Sequence, residues 1–208
     1  MSKLPLDDLL VFSRKVVLTA INRALAAKRP VLALDGTAGN GLDTEFLARA
    51  VEEEGRVLAF DIQEEALGRT ERRLAAAGLA EAGGRGLSAR VRLVRDGHER
   101  LKYYLEAGQE VTAAMYNLGF LPGGSADLAT TPENTLVSLR ELAGVTAPGG
   151  VISVHCYTGQ AGGPVEAEAV RAWAESLPWS DWRVLRYDFC NKAVNQEILY
   201  LACRLDAS

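Results

Sequence analysis

The stretch VLALDGTAGNGLDTEFLARAVEEEGRVLAFD (residues 31–61) decides the fold of this chain. It opens with an apolar run that ends in Asp35, which is typical of a strand buried in a parallel sheet. Three glycines follow at once, namely Gly36, Gly39 and Gly41. A helical pattern begins at Leu42, so the glycine loop lies between the carboxyl end of a strand and the amino end of a helix. Exposed N–H groups and missing side chains let a ligand approach the backbone there.

A second strand and a second acid complete this pattern. RVLAF (residues 56–60) is followed by Asp61, which is well placed to accept hydrogen bonds from the two hydroxyls of a ribose. Strand, glycine loop, helix, strand and acid together predict a nucleoside-cofactor site. The alternative is that the glycines only make a tight turn.

The glycine spacing excludes two common nucleotide sites. DGTAGNG (residues 35–41) matches neither G-x-G-x-x-G nor G-x-x-x-x-G-K-[ST], and no lysine follows to hold a phosphate. An acid at the end of the first strand followed by G-x-G suits a cofactor with a cationic amino-acid end. This indicates S-adenosylmethionine.

Composition indicates one globular domain over residues 1–208. The chain has 48% hydrophobic and 24% charged residues and a net charge of −4, which suits a full core and argues against broad non-specific nucleic-acid binding. It has no run of 18 apolar residues and no signal-peptide pattern, so we expect a soluble, cytoplasmic protein without membrane association. Cys156, Cys190 and Cys203 lack metal-ligand spacing, so we expect reduced, mostly buried thiols and no metal site.

Hydrophobic periodicity divides the chain into alternating helices and strands. Helices are predicted at residues 5–27, 42–53, 63–77, 98–108, 132–145 and 166–177, and the first of them is expected to cover the sheet. Strands are predicted at residues 31–35, 56–60, 90–95, 111–116, 151–157, 182–191 and 196–205. The last two strands are joined so closely that they must form an antiparallel hairpin. The pattern predicts an α/β, Rossmann-like class I methyltransferase fold: a seven-stranded, mostly parallel sheet with an antiparallel last strand and helices on both faces.

Two further motifs end predicted strands. Asp96-Gly97-His98 closes the third strand, where Asp96 or a neighbouring N–H can read an adenine edge and His98 can pack on the ring; equally, Asp96 can cap the helix that follows. Asn117 ends the fourth strand, before the loop LGFLPGG (residues 118–124). Its amide oxygen and the Leu118 carbonyl can hold an amine with its lone pair toward an electrophilic methyl group, which is catalysis by positioning. An asparagine that satisfies its own turn is the alternative.

Residues nearer the C-terminus receive simpler interpretations. His155 lies inside a strand and is interpreted as a buried, hydrogen-bonded histidine rather than a catalyst. Tyr157 begins a loop at the same rim as the other motifs. Glu166 and Glu168 are interpreted as a solvated helix face. Residues 125–131 are polar and expected to be mobile.

Taken together, these motifs resemble the YtqB-like family, whose members have long been labelled rRNA methylases. The resemblance rests on DGTAGNGLDT, FDIQ, DGH, NLGFLPGG, YTGQAGGPVE and YDFCN, and it covers nearly the whole chain. Members are associated with methylation of the tRNA wobble uridine, converting 5-aminomethyl-2-thiouridine to its 5-methylaminomethyl form. Two departures fall on the substrate side. Thr158 and Gln160 stand where the family often has Pro and His, and the hairpin after Asn191 lacks a proline-bearing segment often found there.

The motifs and this resemblance imply a set of site residues. Asp61 would bind the ribose, Gly97 and His98 would lie on the adenine side, and Asp35, Thr37, Asp43 and Thr44 would line the methionine end. The cofactor-binding set is Asp35, Thr37, Gly39, Asn40, Gly41, Leu42, Asp43, Thr44, Asp61, Ile62, Gln63, Asp96, Gly97, His98 and Asn117. The catalytic set is Asn117, Leu118, Tyr157 and Asp43, with water, Asp43 or Tyr157 helping deprotonation.

The predicted function is therefore S-adenosylmethionine-dependent N-methylation of an exocyclic amine in the tRNA anticodon stem-loop, where bases are unpaired. Basic residues of the first helix are either phosphate contacts or a solvated face: Arg14, Lys15, Arg23, Lys28 and Arg29. The alternatives are an rRNA or small-molecule amine methyltransferase of the same fold, and a nucleoside-binding protein without catalysis. Exposed aromatic residues in the C-terminal third suggest a homodimer.

Overall fold

The computed structural model describes residues 9–79, 90–119, 130–192 and 196–206. The helices are α1 (Leu9–Ala26), α2 (Leu42–Ala50), α3 (Glu64–Ala76), a 3-10 helix (His98–Tyr104), α4 (Pro132–Val145) and α5 (Gly163–Ser176). The strands are β1 (Leu32–Asp35), β2 (Arg56–Phe60), β3 (Val91–Val94), β4 (Val111–Leu118), β5 (Thr146–Tyr157), β6 (Trp182–Tyr187) and β7 (Glu197–Arg204).

The described strands form one sheet in the order β3-β2-β1-β4-β5-β7-β6. The pairs among β1 to β5 are parallel, whereas β7 runs antiparallel to both β5 and β6. The predicted seven-stranded, mostly parallel sheet with an antiparallel last strand is confirmed. The chain proceeds outward from β1 in one direction and then returns to place β4 on the other side of β1. A crevice therefore opens at the carboxyl ends of β1 and β4, which is where ligands bind in open α/β sheets.

The helices cover both faces of the sheet, as predicted. On one face Val17 and Ile21 of α1 pack with Leu47 of α2 and Leu74 of α3 against the sheet. On the other face Leu139 of α4 packs with residues of α5 and the strands. Ser13 fixes α1 further, because its Oγ lies 2.7 Å from Oγ of Ser153 on β5. Residues 5–8 of the predicted first helix lie outside the described residues.

Several predicted boundaries differ from the structure. The helix predicted at residues 98–108 is a shorter 3-10 helix. β4 continues to Leu118 because its last residues still pair with β5, so Asn117 lies within the strand. β5 begins at Thr146, five residues earlier than predicted, with an irregular register opposite Val111 and Ala113.

Among the cysteines only Cys156 is buried, which corrects the expectation that they are mostly buried.

A membrane-spanning helix was not expected. In the ranges that the structure describes, no helix combines the length and apolar character needed to cross a bilayer.

Candidate active site

A cavity of about 490 Å³ opens at the carboxyl ends of the central strands. Its volume lies within the range of small-molecule sites. The predicted site residues that line it are Thr37, Gly39, Asn40, Leu42, Asp43, Asp61, Ile62, Gln63, Asp96, Gly97, His98, Asn117, Leu118 and Tyr157. The cavity thus brings together residues from the ends of five strands, β1 to β5.

Asp35 and Thr44 lie behind the cavity wall instead of lining it, and both are fully buried. Asp35 accepts hydrogen bonds from the backbone N–H of Thr37 at 3.0 Å and from the Thr44 hydroxyl at 2.6 Å. Burial, helped by the nearby Asp43 carboxylate, raises the pKa of Asp35 to about 7. This corrects the expectation that Asp35 and Thr44 line the methionine end, because they hold the glycine loop from below.

Gly41 also lies off the cavity wall, and its role is conformational. It precedes α2 with φ of 77°, a left-handed conformation that favours glycine. A Cβ at this position would lie 2.8 Å from Cα of Thr70. Gly41 therefore lets the loop turn into α2 while α3 packs closely against it.

Asp61 joins the two halves of the nucleoside motif. Its carboxylate accepts hydrogen bonds from the N–H of Gly39 and from the N–H of Gln63, each at 2.9 Å. Burial raises the pKa of Asp61. Each carboxylate oxygen has a second lone pair, so a side chain that fixes the loop can still accept hydrogen bonds from a ligand.

The third-strand motif is built around Asp96 and His98. Asp96 accepts hydrogen bonds from the Gly97 N–H at 2.9 Å and from the Tyr104 hydroxyl at 2.8 Å, and the Tyr104 bond lowers the pKa of Asp96. His98 is buried, and burial lowers its pKa. Because Nδ1 of His98 lies 3.0 Å from the carbonyl of Gly36, this nitrogen carries the proton. Nε2 is then an acceptor, buried and without a hydrogen-bond partner among the described residues.

Asn117 is held by two contacts across the crevice. Its backbone N–H donates to the hydroxyl of Thr37 at 2.8 Å, and its Nδ2 donates to Oδ2 of Asp43 at 2.7 Å. A carboxylate only accepts hydrogen bonds, so the amide nitrogen must face Asp43. The amide oxygen is therefore available to a ligand in the cavity.

Arg14 is a cavity residue that the sequence interpretation placed elsewhere. Its Nε and Nη2 donate to Oδ1 of Asp43 at 2.9 and 2.6 Å, and it lines the cavity. The side chain expected to contact phosphate or solvent is thus engaged by an acid of the site. No local pattern pointed to this pair, because the two residues are 29 positions apart on different helices.

Two other basic residues proposed for phosphate are engaged as well. Arg23 pairs with Asp206 at 2.7 Å, and Arg29 donates to the carbonyl of Pro148 at 2.8 Å. Lys15 and Lys28 are exposed, so they remain consistent with both a solvated face and phosphate contact.

Glu166 is buried, so its assignment to a solvated face was wrong. Its carboxylate accepts hydrogen bonds from the hydroxyls of Thr130 and Thr135, each at 2.7 Å. Thr130 in turn accepts from the N–H of Gly119 at 2.9 Å. The sequence did not indicate this because a charged residue on a helix is usually solvated, whereas here Thr135 of α4 binds the Glu166 carboxylate. Glu168 on the same helix is exposed and pairs with Arg171.

The remaining rim residues differ in what they offer. His155 is buried, with Nε2 lying 3.0 Å from Oε2 of Glu197, in line with its interpretation as a hydrogen-bonded core histidine. Tyr157 and Gln160 line the cavity beside Leu118. The loop segment at residues 120–124 and the polar segment at residues 125–129 lie outside the described residues.

The residues present fit an S-adenosylmethionine-type molecule. The cavity is lined by the backbone of the glycine loop and by the acids Asp43 and Asp61, which can accept from cationic or hydroxyl groups. Nε2 of His98 is a buried acceptor that a donor from a ligand would satisfy. In the described part of the chain, no group of three His, Cys, Asp or Glu side chains could hold a metal ion.

Comparison with known proteins places the chain in a family. A family model described as "Putative rRNA methylase" matches residues 57–203. The chain belongs to this family. A curated relative, the chloroplastic tRNA (mnm(5)s(2)U34)-methyltransferase of Arabidopsis thaliana, is 31% identical over 173 residues, which are 81% of this chain. The alignment covers 61% of that relative's length.

Solved structures agree with this assignment. A protein from Clostridium thermocellum described as a "putative rRNA-methylase" is 33% identical with a TM-score of 0.76, and the match covers 90% of this chain and 96% of the other. A protein from Streptococcus mutans described as "a putative methyltransferase", in complex with SAH, is 27% identical with a TM-score of 0.77, and the match covers 99% of this chain and 100% of the other. The predictions of a methyltransferase, of the Rossmann-like fold and of S-adenosylmethionine as the family's cofactor are therefore confirmed.

Proposed function

We propose that this methyltransferase transfers a methyl group from S-adenosylmethionine to an exocyclic amine of RNA. The 5-aminomethyl group of the tRNA wobble uridine is the substrate that we favour, giving the 5-methylaminomethyl form. The observation that carries this proposal is the hydrogen bond from Nδ2 of the cavity-lining Asn117 to Asp43, which leaves the amide oxygen to accept from a ligand. Support for the nucleoside comes from the Arabidopsis thaliana relative, whose name specifies that position.

The acceptor side needs a group that holds an amine without removing its nucleophilicity. When bound, S-adenosylmethionine supplies an electrophilic methyl group. The amide oxygen of Asn117 and the carbonyl of Leu118 both belong to cavity-lining residues, and each can accept an N–H of a neutral amine. This orients the nitrogen lone pair, and such positioning accounts for a large part of catalysis in reactions of this kind.

The proton of an alkylammonium must leave before transfer. Asn117 cannot act as a base. Both oxygens of Asp43 already accept hydrogen bonds, from Arg14 and from Asn117, so we assign Asp43 to orienting Asn117. Water then receives the proton and passes it to solvent, and the hydroxyl of the cavity-lining Tyr157 helps by hydrogen-bonding that water.

An unpaired base of an anticodon stem-loop suits this cavity, because sequence-specific RNA recognition mostly targets single-stranded loops. The cavity lining includes Leu10, Tyr157 and Gln160, whose side chains can contact a base that has left its stack. The cytoplasmic location and the homodimer remain predictions.

Nucleoside mass spectrometry on tRNA from a strain without this protein tests the substrate. We expect 5-aminomethyl-2-thiouridine to accumulate and its methylated form to return when the wild-type chain is restored. A methyl-transfer assay with tritiated S-adenosylmethionine and the purified chain should label bulk tRNA and leave rRNA and small amines unlabelled. Labelling of rRNA alone would instead favour the function in the family's description.

A further inference from the structure

The amide of Asn117 is oriented by a chain of contacts that begins on α1. Arg14 donates two hydrogen bonds to one oxygen of Asp43, and the other oxygen of Asp43 accepts the amide N–H of Asn117. We infer that Arg14 is a positioning residue for methyl transfer: by clamping Asp43, it keeps the amide oxygen of Asn117 turned into the cavity. This inference rests on the proposed role of Asn117 and adds a residue from the first helix to the site.

The pair between Arg14 and Asp43 differs from an ordinary surface ion pair. The Asp43 side chain is 6% exposed and that of Arg14 is 30% exposed, and two nitrogens of one guanidinium meet the same oxygen. Planar guanidinium donors fix a carboxylate in direction as well as in distance. The guanidinium also lies 5.4 Å from the ring centre of Phe46, so its position is restrained from a second side.

Contacts between α1 and the sheet hold the backbone of Arg14 in place. The neighbouring Ser13 is fully buried and hydrogen-bonded to Ser153 on β5. Val17, one turn further along, is buried in the core with the sheet. Arg14 therefore projects from a helix that is fixed to the sheet by its neighbours Ser13 and Val17, and α1 does more than cover the sheet.

Loss of the clamp has a specific consequence for Asn117. An asparagine amide can bind in two orientations that differ by exchange of oxygen and nitrogen. The Asp43 carboxylate selects the orientation in which the amide nitrogen faces it, since an amide oxygen against a carboxylate oxygen is repulsive. Without Arg14 the Asp43 carboxylate can turn toward other donors, so that Asn117 is no longer held in one orientation. We expect turnover to fall while the cofactor still binds.

Kinetics and calorimetry with matched variants test this inference. For Arg14→Ala we expect kcat to fall about 30-fold, with the Kd of S-adenosylhomocysteine unchanged within about twofold. Arg14→Lys should recover part of kcat, because one ammonium replaces a two-point clamp. The control is Arg23→Ala, on the same helix and also paired with an acid but exposed, and it should keep wild-type kcat. A Kd that weakens as much as kcat would overturn the inference and make Arg14 a cofactor ligand.

A double-mutant cycle and a spectroscopic signal show whether Arg14 acts through Asn117. The Arg14→Ala, Asn117→Ala double variant should be no slower than Asn117→Ala alone, since the two residues act in series. The side-chain NH₂ signals of Asn117, identified by their loss in Asn117→Ala, should shift in ¹⁵N NMR spectra of both Arg14 variants and remain in place in Arg23→Ala. Unmoved signals in the folded Arg14→Lys variant would overturn the inference.

The NMR measurement separates this inference from the proposed function, because it needs no RNA. If no RNA is methylated but the Asn117 signals respond to Arg14, the substrate assignment fails and the positioning contact stands. If tRNA is methylated and the Asn117 signals do not respond to Arg14, the substrate assignment stands and the positioning role of Arg14 fails.

Discussion

The two walls of the cavity are built in different ways. The cofactor wall, which we define as residues 35–44 with residues 61–63, is held by carboxylates that accept backbone N–H groups, as Asp61 does from Gly39 and Gln63. The acceptor wall, defined as the cavity-lining residues Arg14, Asn117, Gly119 and Thr130 with Glu166 bound behind Thr130, is held by side chains from distant elements. Asp43 lies where the two walls meet.

The difference lies in how far apart along the chain the partners are. The contacts of Asp35 and Asp61 in the cofactor wall span 2 to 22 positions. In the acceptor wall Gly119 is 11 positions from Thr130, but Glu166 is 36 positions from Thr130 and Asn117 is 74 positions from Asp43. A wall that local backbone geometry forms can be predicted from a sequence motif, whereas a wall that forms by packing depends on the whole fold. We therefore expect mutations in the cofactor wall to change cofactor affinity and mutations in the acceptor wall to change the reaction rate.

The largest effect that distinguishes the cofactor wall from the acceptor wall is expected for Asp61→Asn, on the Kd of S-adenosylhomocysteine. An amide nitrogen cannot accept the N–H of Gly39 or Gln63, so one of two charge-assisted hydrogen bonds is lost and the loop is left less well ordered. Such bonds contribute about 1.5–3 kcal/mol, so the Kd of S-adenosylhomocysteine should rise roughly 30-fold in calorimetry, with kcat at saturating cofactor changed less than about threefold.

The matched control for that change is Glu64→Gln. Glu64 follows closely in sequence, is exposed and pairs only with Arg95 among the salt bridges of the described residues, so its Kd should stay within about twofold of wild type. If Asp61→Asn lowered kcat at saturation and left Kd unchanged, the separation of the two walls would be wrong.

A smaller effect is expected for Glu166→Ala, and it should fall on the reaction with RNA instead of on cofactor affinity. This change leaves the hydroxyls of Thr130 and Thr135 without their acceptor, which costs about 1–3 kcal/mol of folding free energy, and it loosens the contact of Thr130 with Gly119. We expect kcat/KM for RNA to fall about tenfold while cofactor affinity stays unchanged. Glu168→Ala, exposed on the same helix, should match wild type in denaturant unfolding and in rate. Equal loss of cofactor affinity in Glu166→Ala would contradict a separate acceptor wall.

The smallest effect concerns the pH dependence of stability from Asp35. Burial raises its folded pKa to about 7 from an ordinary value of 3.8. The folded protein therefore holds a proton that the unfolded chain has released, and stability falls as pH rises until the folded group ionises. Between pH 6 and 8 the free energy of unfolding of wild type should fall by about 1 kcal/mol relative to Asp35→Asn.

Urea unfolding of both proteins without cofactor at a series of pH values measures this difference. Other titrating groups cancel in the comparison because both proteins contain them. A difference that stays constant from pH 6 to 8 would mean that Asp35 is ionised throughout, and that the cofactor wall carries a permanent buried charge.

Sequence patterns were most accurate where local rules decide the structure. α4 has the predicted bounds, with Thr131 capping it by accepting the N–H of Asn134 at 3.4 Å and proline in its first turn. They were less accurate where tertiary contacts override periodicity. The segment after His98 is a 3-10 helix rather than a longer helix, and β4 extends through Asn117 because β5 offers partners to its end.

Candidate residues of the site divide in the same way. Most residues named from the glycine loop and strand ends line the cavity, because parallel strands end at one edge of the sheet. Asp35 and Thr44 were predicted in the correct region, but they lie behind the cavity lining instead of in it. The sequence does not show that Asp43 lines the cavity while Asp35 is buried beneath it. Arg14 and Glu166 were missed because a charged residue on an amphipathic helix is usually solvated.

By itself, the sequence determined the order of strands and helices, the α/β class and most of the residues that line the cavity, because backbone conformation at glycines and hydrophobic periodicity act over a few residues. Only the tertiary structure decided which face of α1 meets Asp43, which acid lies buried and which way the amide of Asn117 points. These depend on the burial and pairing of charges brought together from distant segments, and that energy exists only once the chain has packed.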